Sequence, residues 1–507
     1  MTLITRKHSK LITVFYLCLM ITFILGSIYS GVNLLGGFSK FFPGRDYNFY
    51  FLQNLQVDFI SIFFFLIYCL VIFLMCFYLC KNQIKKNSLC CFLITFLSHL
   101  LLLLIFRNVS FFSDFQFAWE RSLGDLSSLN RYQFFPSYVN YSLYLKILIK
   151  LFGESRVIVI LINIILNSLT SVGVYLLGYK IYQREIPAFF SSLLYSLYLP
   201  SIFYTLVATP EHITVLFNVW GIYLLSNFLS SDFSKKNYFY IGFSCVCFGI
   251  ADSMKTFFPI IFIAFILIFA HMLYERKYLS CSHRIFLLLC TVFTVFMLTN
   301  MVSGGILKIT EKNFDIDLNK VDATPHFFAV GLNRPGEGQI HLGNFSRVYL
   351  NDRMNSVPRD EAVTKIKKII LDDWSNNLSD ILPFIVKKTI WAWQDDCIPI
   401  TYFLTTEGIQ PNTEIQKFFF NGITRVGSKV SEILYFVLFF TCIYVCVLLI
   451  RTQKFNYILV FSSLIIEGYF FLMFFSEAQS RYKCLIMPFI FLLLGYLPYC
   501  FIKKIKK

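Results

Sequence analysis

The chain has 507 residues, of which 57% are hydrophobic, 15% are charged and 61 are phenylalanine, with a formal net charge of +16. A soluble protein of this size needs far more polar surface, so the composition excludes one and directs the apolar excess toward lipid and lipid-facing helices. It also excludes a nucleic-acid binder, because the basic residues sit in short segments between apolar runs, not on one polar face beside stacking aromatics.

A helix needs roughly 20 apolar residues to cross the hydrocarbon of a bilayer. In chain order, runs of that kind predict about twelve transmembrane helices, near 11–32, 57–80, 88–106, 156–178, 187–207, 212–230, 238–251, 257–274, 284–302, 431–450, 456–475 and 482–502. The seventh is short, and Gly249, Asp252 and Lys255 crowd its junction with the eighth. Segment 238–274 reads as a hairpin, with one span plus a re-entrant piece as the alternative. Arg6, Lys7 and Lys10 precede the first run; Lys81, Lys85 and Lys86 follow the second; basic residues then mark every other turn, ending at Lys503, Lys504, Lys506 and Lys507. Such residues stay on the cytoplasmic side, which predicts a cell-membrane protein with both termini in the cytoplasm. The first run is too long for a signal-peptide core and ends without a small-residue cleavage site, so it reads as a retained span. Of 15 cysteines nearly all lie inside apolar runs, where they act as small hydrophobes, and no CxxC pair or His/Cys cluster suggests zinc.

Two segments on the outer side are large enough to carry chemistry. In 107–155, residues 138–152 mix apolar positions with Lys146 and Lys150 and predict an amphipathic helix in the outer interface; an ordinary loop burying its aromatics is the alternative. Segment 303–430 carries basic and acidic residues in equal number and has apolar material to pack, so it is expected to fold as a mixed extracytoplasmic cap. The implied organisation is an extra N-terminal hairpin at 1–87, a membrane core at 88–302, the cap at 303–430 and a three-span segment at 431–507.

Asp114 sits just past the third span, and Glu211 follows Thr209 and Pro210 at the outward turn between the fifth and sixth. A carboxylate beside a membrane is costly without a partner or a task, and general-base chemistry on an incoming hydroxyl is one such task. The plainer alternative is that both cap helices. Lys255, and Arg481 beside Tyr482, lie at outward helix ends where they can neutralise a lipid phosphate. Alternatively, Asp252 with Lys255 and Glu477 with Arg481 pair at helical spacing.

These patterns resemble the membrane-embedded glycosyltransferases of the GT-C fold, nearest to bacterial members of the dolichyl-phosphate-mannose-protein mannosyltransferase and aminoarabinose-transferase-like superfamily. The resemblance spans 88–302 and returns at 476–502. It is carried by Ser113-Asp114-Phe115, Phe135-Pro136, Leu151-Phe152-Gly153, Pro210-Glu211-His212, Asp252-Ser253-Met254-Lys255 and Glu477-Ala478-Gln479-Ser480-Arg481-Tyr482. It implies an all-α polytopic membrane protein that moves a sugar from a polyprenyl-phosphate-linked donor to a glycan, lipid or protein acceptor, without a nucleotide sugar, among membrane lipids. By the same resemblance Asp114 is the base, Glu211 positions donor or acceptor, and Lys255 and Arg481 meet the carrier phosphate. His326 is a candidate acceptor contact, with packing in the cap as the alternative. No metal-binding motif is visible, and a divalent ion beside Asp114 and Glu211 stays open.

Three features depart from the family pattern. The hairpin 11–80 precedes the usual core, Asp114 lacks the neighbouring acid seen in protein mannosyltransferases, and Lys255 stands where an Arg is more familiar. The rival readings are a lipid-linked oligosaccharide polymerase, which calls for Arg-rich outer loops, and a lipid-linked-sugar flippase, which calls for repeated halves and polar residues at mid-depth.

Overall fold

The computed structural model describes residues 9–34, 57–80, 83–106, 113–125, 135–230, 237–275, 280–316, 318, 324–334, 348–376, 378–393, 414, 417–418, 422, 426–453, 455–477 and 480–505. Among them, nine helices are long and apolar enough to cross a membrane. These are α1 (Ser9–Leu34), α2 (Phe59–Leu79), α3 (Ile84–Ile105), α6 (Arg156–Tyr182), α9 (Glu211–Leu229), α11 (Phe258–Glu275), α12 (Cys281–Phe314), α17 (Ser428–Thr452) and α18 (Tyr457–Phe475). Between them lie α4 (Ser113–Ser122), α5 (Pro136–Phe152), α7 (Glu185–Leu197), α8 (Leu199–Tyr204) and α10 (Tyr238–Met254). The chain ends in a 3-10 turn (Ser480–Leu485), α19 (Met487–Leu494) and α20 (Tyr496–Ile505). The protein is therefore a multi-pass membrane protein, helical throughout its regular secondary structure among the described residues.

Three of the twelve expected runs are not among these nine long helices. Run 187–207 divides into α7 and α8, with Pro200 in the first turn of α8, because proline has no amide to continue a helix. Run 482–502 divides likewise around Pro488 and Gly495. Run 238–251 is the short α10, whose Gly249 faces α12 so closely that a Cβ there would stand 2.5 Å from Val302. Conversely, α12 continues unbroken to Phe314, past the expected end of its span at 302.

The largest buried cluster joins α1, α2, α6, α7, α9, α10, α11, α17, α18 and α19, among others. The N-terminal pair α1 and α2 meets the C-terminal helices through polar contacts: Ser30 donates to Glu432 at 2.7 Å, Thr22 to Glu467 at 3.0 Å, and Lys429 bonds Asp58 at 2.6 Å. A hydrogen bond between helices is worth most where no water competes for it, and these tie the chain's two ends together.

Helix α5 covers the segment expected to be amphipathic. Its Val139, Tyr141, Leu145 and Leu148 are buried, while Lys146, Ile147, Lys150 and Leu151 are exposed. Asn140 pins it to the bundle, donating to the Ser253 carbonyl at 2.8 Å and accepting from Thr310 at 2.7 Å.

The segment expected to be a mixed cap contains, among the described residues, helices and no strand: α13 (Thr324–Gly331), α14 (Val348–Met354), α15 (Arg359–Asn376) and α16 (Ile381–Trp393). Arg334 grips Asp373 through two bonds and Asp380 through a third at 2.8 Å. Lys388 of α16 is buried and donates to the carbonyls of Gly331 and Phe474, seating α13 and α16 on the end of α18. A Cβ on Gly331 would lie 2.3 Å from the Phe475 carbonyl oxygen, so only glycine fits that seat.

Burial pushes the Lys388 ammonium down to about 7, with Glu477 opposing the shift. Between that value and the ordinary lysine range the unfolded chain holds a proton that the folded one lacks. Stability is thus gained as pH rises through this window and lost as it falls through about 7. Thermal unfolding of the purified protein should show that slope between pH 7 and pH 10, and Lys388→Met should flatten it.

Candidate functional site

Residues 205–210 link α8 to α9 without helix, yet Thr205, Ala208 and Thr209 are fully enclosed. Helix α9 then starts at Glu211, on whose first turn the exposed amides favour a negative charge. The Thr209 hydroxyl donates to Glu211 Oε2 and accepts the Glu211 amide at 3.2 Å. From the end of α10, Lys255 Nζ donates to Glu211 Oε1 at 2.8 Å. Asp252 accepts the Phe257 and Phe258 amides, each at 3.2 Å, so it caps the start of α11, and the bond from Lys255 runs to Glu211, 44 positions away.

The 3-10 turn supplies the third wall. The Tyr482 ring lies 4.1 Å from Lys255 Nζ, close enough for a cation–π contact, and its hydroxyl donates to Glu477 at 3.1 Å. The Glu211 side chain is 4% exposed and that of Lys255 22%. One buried carboxylate is thus neutralised by a lysine that keeps an open side, as its remaining N–H groups require for an anionic ligand. Tyr141 of α5 is fully buried near this pair; burial, then Tyr144 and Glu211, raise its phenol well above the ordinary range. A cleft of about 450 Å³, counted with its open mouth, runs from Glu211 past His212, Asn167 and Tyr195 to Cys484 and Met487.

The side chains of Asp114 and Arg481 lie outside the described residues, while their backbones belong to the first turn of α4 and to the 3-10 turn. Described neighbours locate the two turns. Phe115 is buried against Tyr204 and Val207, with Tyr138 and Cys484 packed alongside. The start of α4, the 205–210 link and the turn bearing Arg481 and Tyr482 therefore share one packing cluster.

His326 is fully buried on α13 with its ring edge-on to Phe135 at 5.7 Å and near Phe327 at 5.8 Å. That places it in the contact between α13 and the start of α5, one aromatic layer from the Phe115 cluster. Among the described residues no group of three or more His, Cys, Asp or Glu could hold a metal. Lys255 and Thr209 each donate to one of the two Glu211 oxygens.

Sequence reasoning gave no role to Asn163, Asn167 and His212, which line up behind the link. Their signal was present: amides and an imidazole inside apolar helices are rare enough to suggest function.

The profile of the family described as dolichyl-phosphate-mannose-protein mannosyltransferase matches residues 139–302. That stretch is about a third of the chain; it holds Asn163, Asn167, Glu211, His212 and Lys255, and lies between Asp114 and Arg481. Over it the chain is related to a family of membrane glycosyltransferases. No curated protein and no solved structure matches the chain.

Proposed function

We propose that the protein transfers a sugar from a polyprenyl-phosphate-linked donor to a cell-envelope glycan, lipid or protein acceptor on the outer face of the cell membrane. The observation that carries this reading is the meeting of Glu211, Lys255 and Tyr482 at adjoining ends of α9, α10 and the 3-10 turn, with two of the three inside the family stretch.

The step is an inverting displacement. The acceptor oxygen bonds to the anomeric carbon as the bond from that carbon to the phosphate oxygen breaks. The hydroxyl proton passes to Asp114, and the electron pair leaves with the phosphate. A phosphate needs no acid to depart, but its charge in a low-dielectric site needs a cation. Lys255 supplies it from its open side, and Arg481, whose backbone lies in the neighbouring turn, is the second proposed cation. Glu211 holds Lys255 at a fixed point and can accept a hydroxyl of the sugar or acceptor.

The test is reconstitution of the full-length protein in liposomes with a panel of polyprenyl-phosphate-linked monosaccharides, following release of polyprenyl monophosphate by mass spectrometry. Acceptor-dependent release is expected. Lengthening of pyrophosphate-linked oligosaccharides, or movement of donor between leaflets without cleavage, would replace this reading by the polymerase or the flippase.

A further inference from the structure

The 205–210 link is a run of non-helical backbone enclosed within the bundle, where any carbonyl left without a donor is expensive. Helix α6 supplies the donors. Asn163 Nδ2 bonds the carbonyls of Thr205 at 3.2 Å and Val207 at 3.0 Å. From the other side, His212 Nε2 lies 3.0 Å from the Tyr204 carbonyl. Behind His212, its Nδ1 is 3.1 Å from Asn167 Nδ2, and Asn167 Oδ1 accepts from Tyr195 at 2.7 Å.

The proton positions along this chain follow from chemistry. A carbonyl only accepts, so Nε2 of His212 carries hydrogen. Asn167 presents its amide nitrogen to Nδ1, so Nδ1 accepts and the ring is neutral. Every bond then points the same way, from Tyr195 through Asn167 and His212 to Tyr204, with no frustrated member. All these side chains are buried. His212 follows Glu211 directly, so its bond to the Tyr204 carbonyl, where α8 passes into the link, also sets the rotation of the first turn of α9.

We infer that Asn163 and the Tyr195–Asn167–His212 chain are positioning residues that hold the 205–210 link, and through it Thr209 and Glu211, in register with Lys255. The inference rests on the transferase reading for its catalytic consequence and on geometry alone for its structural one. None of these residues is asked to touch substrate. Their role is to keep the carboxylate from drifting, since a misplacement of about 1 Å can cost on the order of 10²-fold in rate.

The test uses the full-length protein in lipid nanodiscs and has two arms. In the first, ¹⁵N NMR of histidine-labelled protein should show a neutral, Nε2-protonated ring whose signal vanishes in His212→Gln; an Nδ1-protonated or charged ring overturns the chain. In the second, His212→Leu and Asn163→Leu should lower kcat about 10- to 100-fold with KM for donor little changed. His212→Gln, which keeps a donor for the Tyr204 carbonyl, should recover turnover to within a few-fold. Equal loss in the leucine and glutamine variants, or lowered melting temperature with unaltered kcat, overturns the positioning role. If the wild-type protein cleaves no donor, the transferase reading falls, and the ring tautomer still decides whether the framework exists.

Discussion

Asp114→Asn is expected to lower turnover about 10²- to 10⁴-fold, the span attributed to a positioned general base, while leaving donor binding and melting temperature near wild type. Asparagine matches the carboxylate in shape but cannot take a proton, so the substitution separates chemistry from packing. The adjacent residue argues for the location: Phe115 is 2% exposed and packs on Tyr204 and Val207, which ties the first turn of α4 to the link that delivers Glu211. Moving that turn should also be costly, so Phe115→Ala should depress both stability and rate. Turnover of Asp114→Asn within a few-fold of wild type would remove Asp114 from the base role. Measuring single-turnover release of polyprenyl monophosphate beside thermal melting distinguishes the two kinds of loss.

The membrane character of the fold was legible because it depends on bulk composition and on run length, which no tertiary contact can override. Where the reading missed, the cause was local. Pro200 and Pro488 lie within apolar runs and interrupt them, yet apolar content alone counts such a run as a span. The cap was expected to be mixed, and its described residues are helical; a composition with equal charges and apolar material does not select helix over strand. What seats it is long-range: Lys388 bonds carbonyls 57 and 86 positions away in sequence.

The site was legible as a set of residue types and illegible as a set of pairs. Glu211 and Lys255 could be assigned to one membrane face from charge labels and turn positions. Spacing then offered Asp252 as the natural partner of Lys255, three positions before it, and the structure gives Asp252 to the amides of Phe257 and Phe258 instead. A carboxylate just before a helix start has two good uses, and which one it takes depends on backbone direction, which spacing does not encode. Tyr482 adjoins Arg481 in sequence, and its ring stands over Lys255. Asn163 and Asn167 sit four apart on one face of α6, a pattern that becomes meaningful only when the link carbonyls opposite Asn163 and the His212 ring opposite Asn167 are known.

The Glu211–Lys255 pair allows a decisive separation of stability from function. Lys255→Ala takes the ammonium from a carboxylate that is 4% exposed. Breaking a buried pair costs about 3–5 kcal/mol, and the 22% exposure of Lys255 brings the expected loss to the lower end of that range. A single variant therefore confounds misfolding with lost phosphate neutralisation. The double variant Glu211→Gln with Lys255→Met removes both charges together, keeps the volumes, and leaves Thr209 a partner in the glutamine. Its melting temperature should return close to wild type, because an isosteric uncharged pair avoids the desolvation that the ions incur. Its turnover should stay depressed by about 10²-fold or more, since the Lys255 cation no longer faces the departing phosphate oxygen. Recovery of turnover together with stability would mean that the pair only joins α9 to α10, and the phosphate would then have to be met by the turn that carries Arg481.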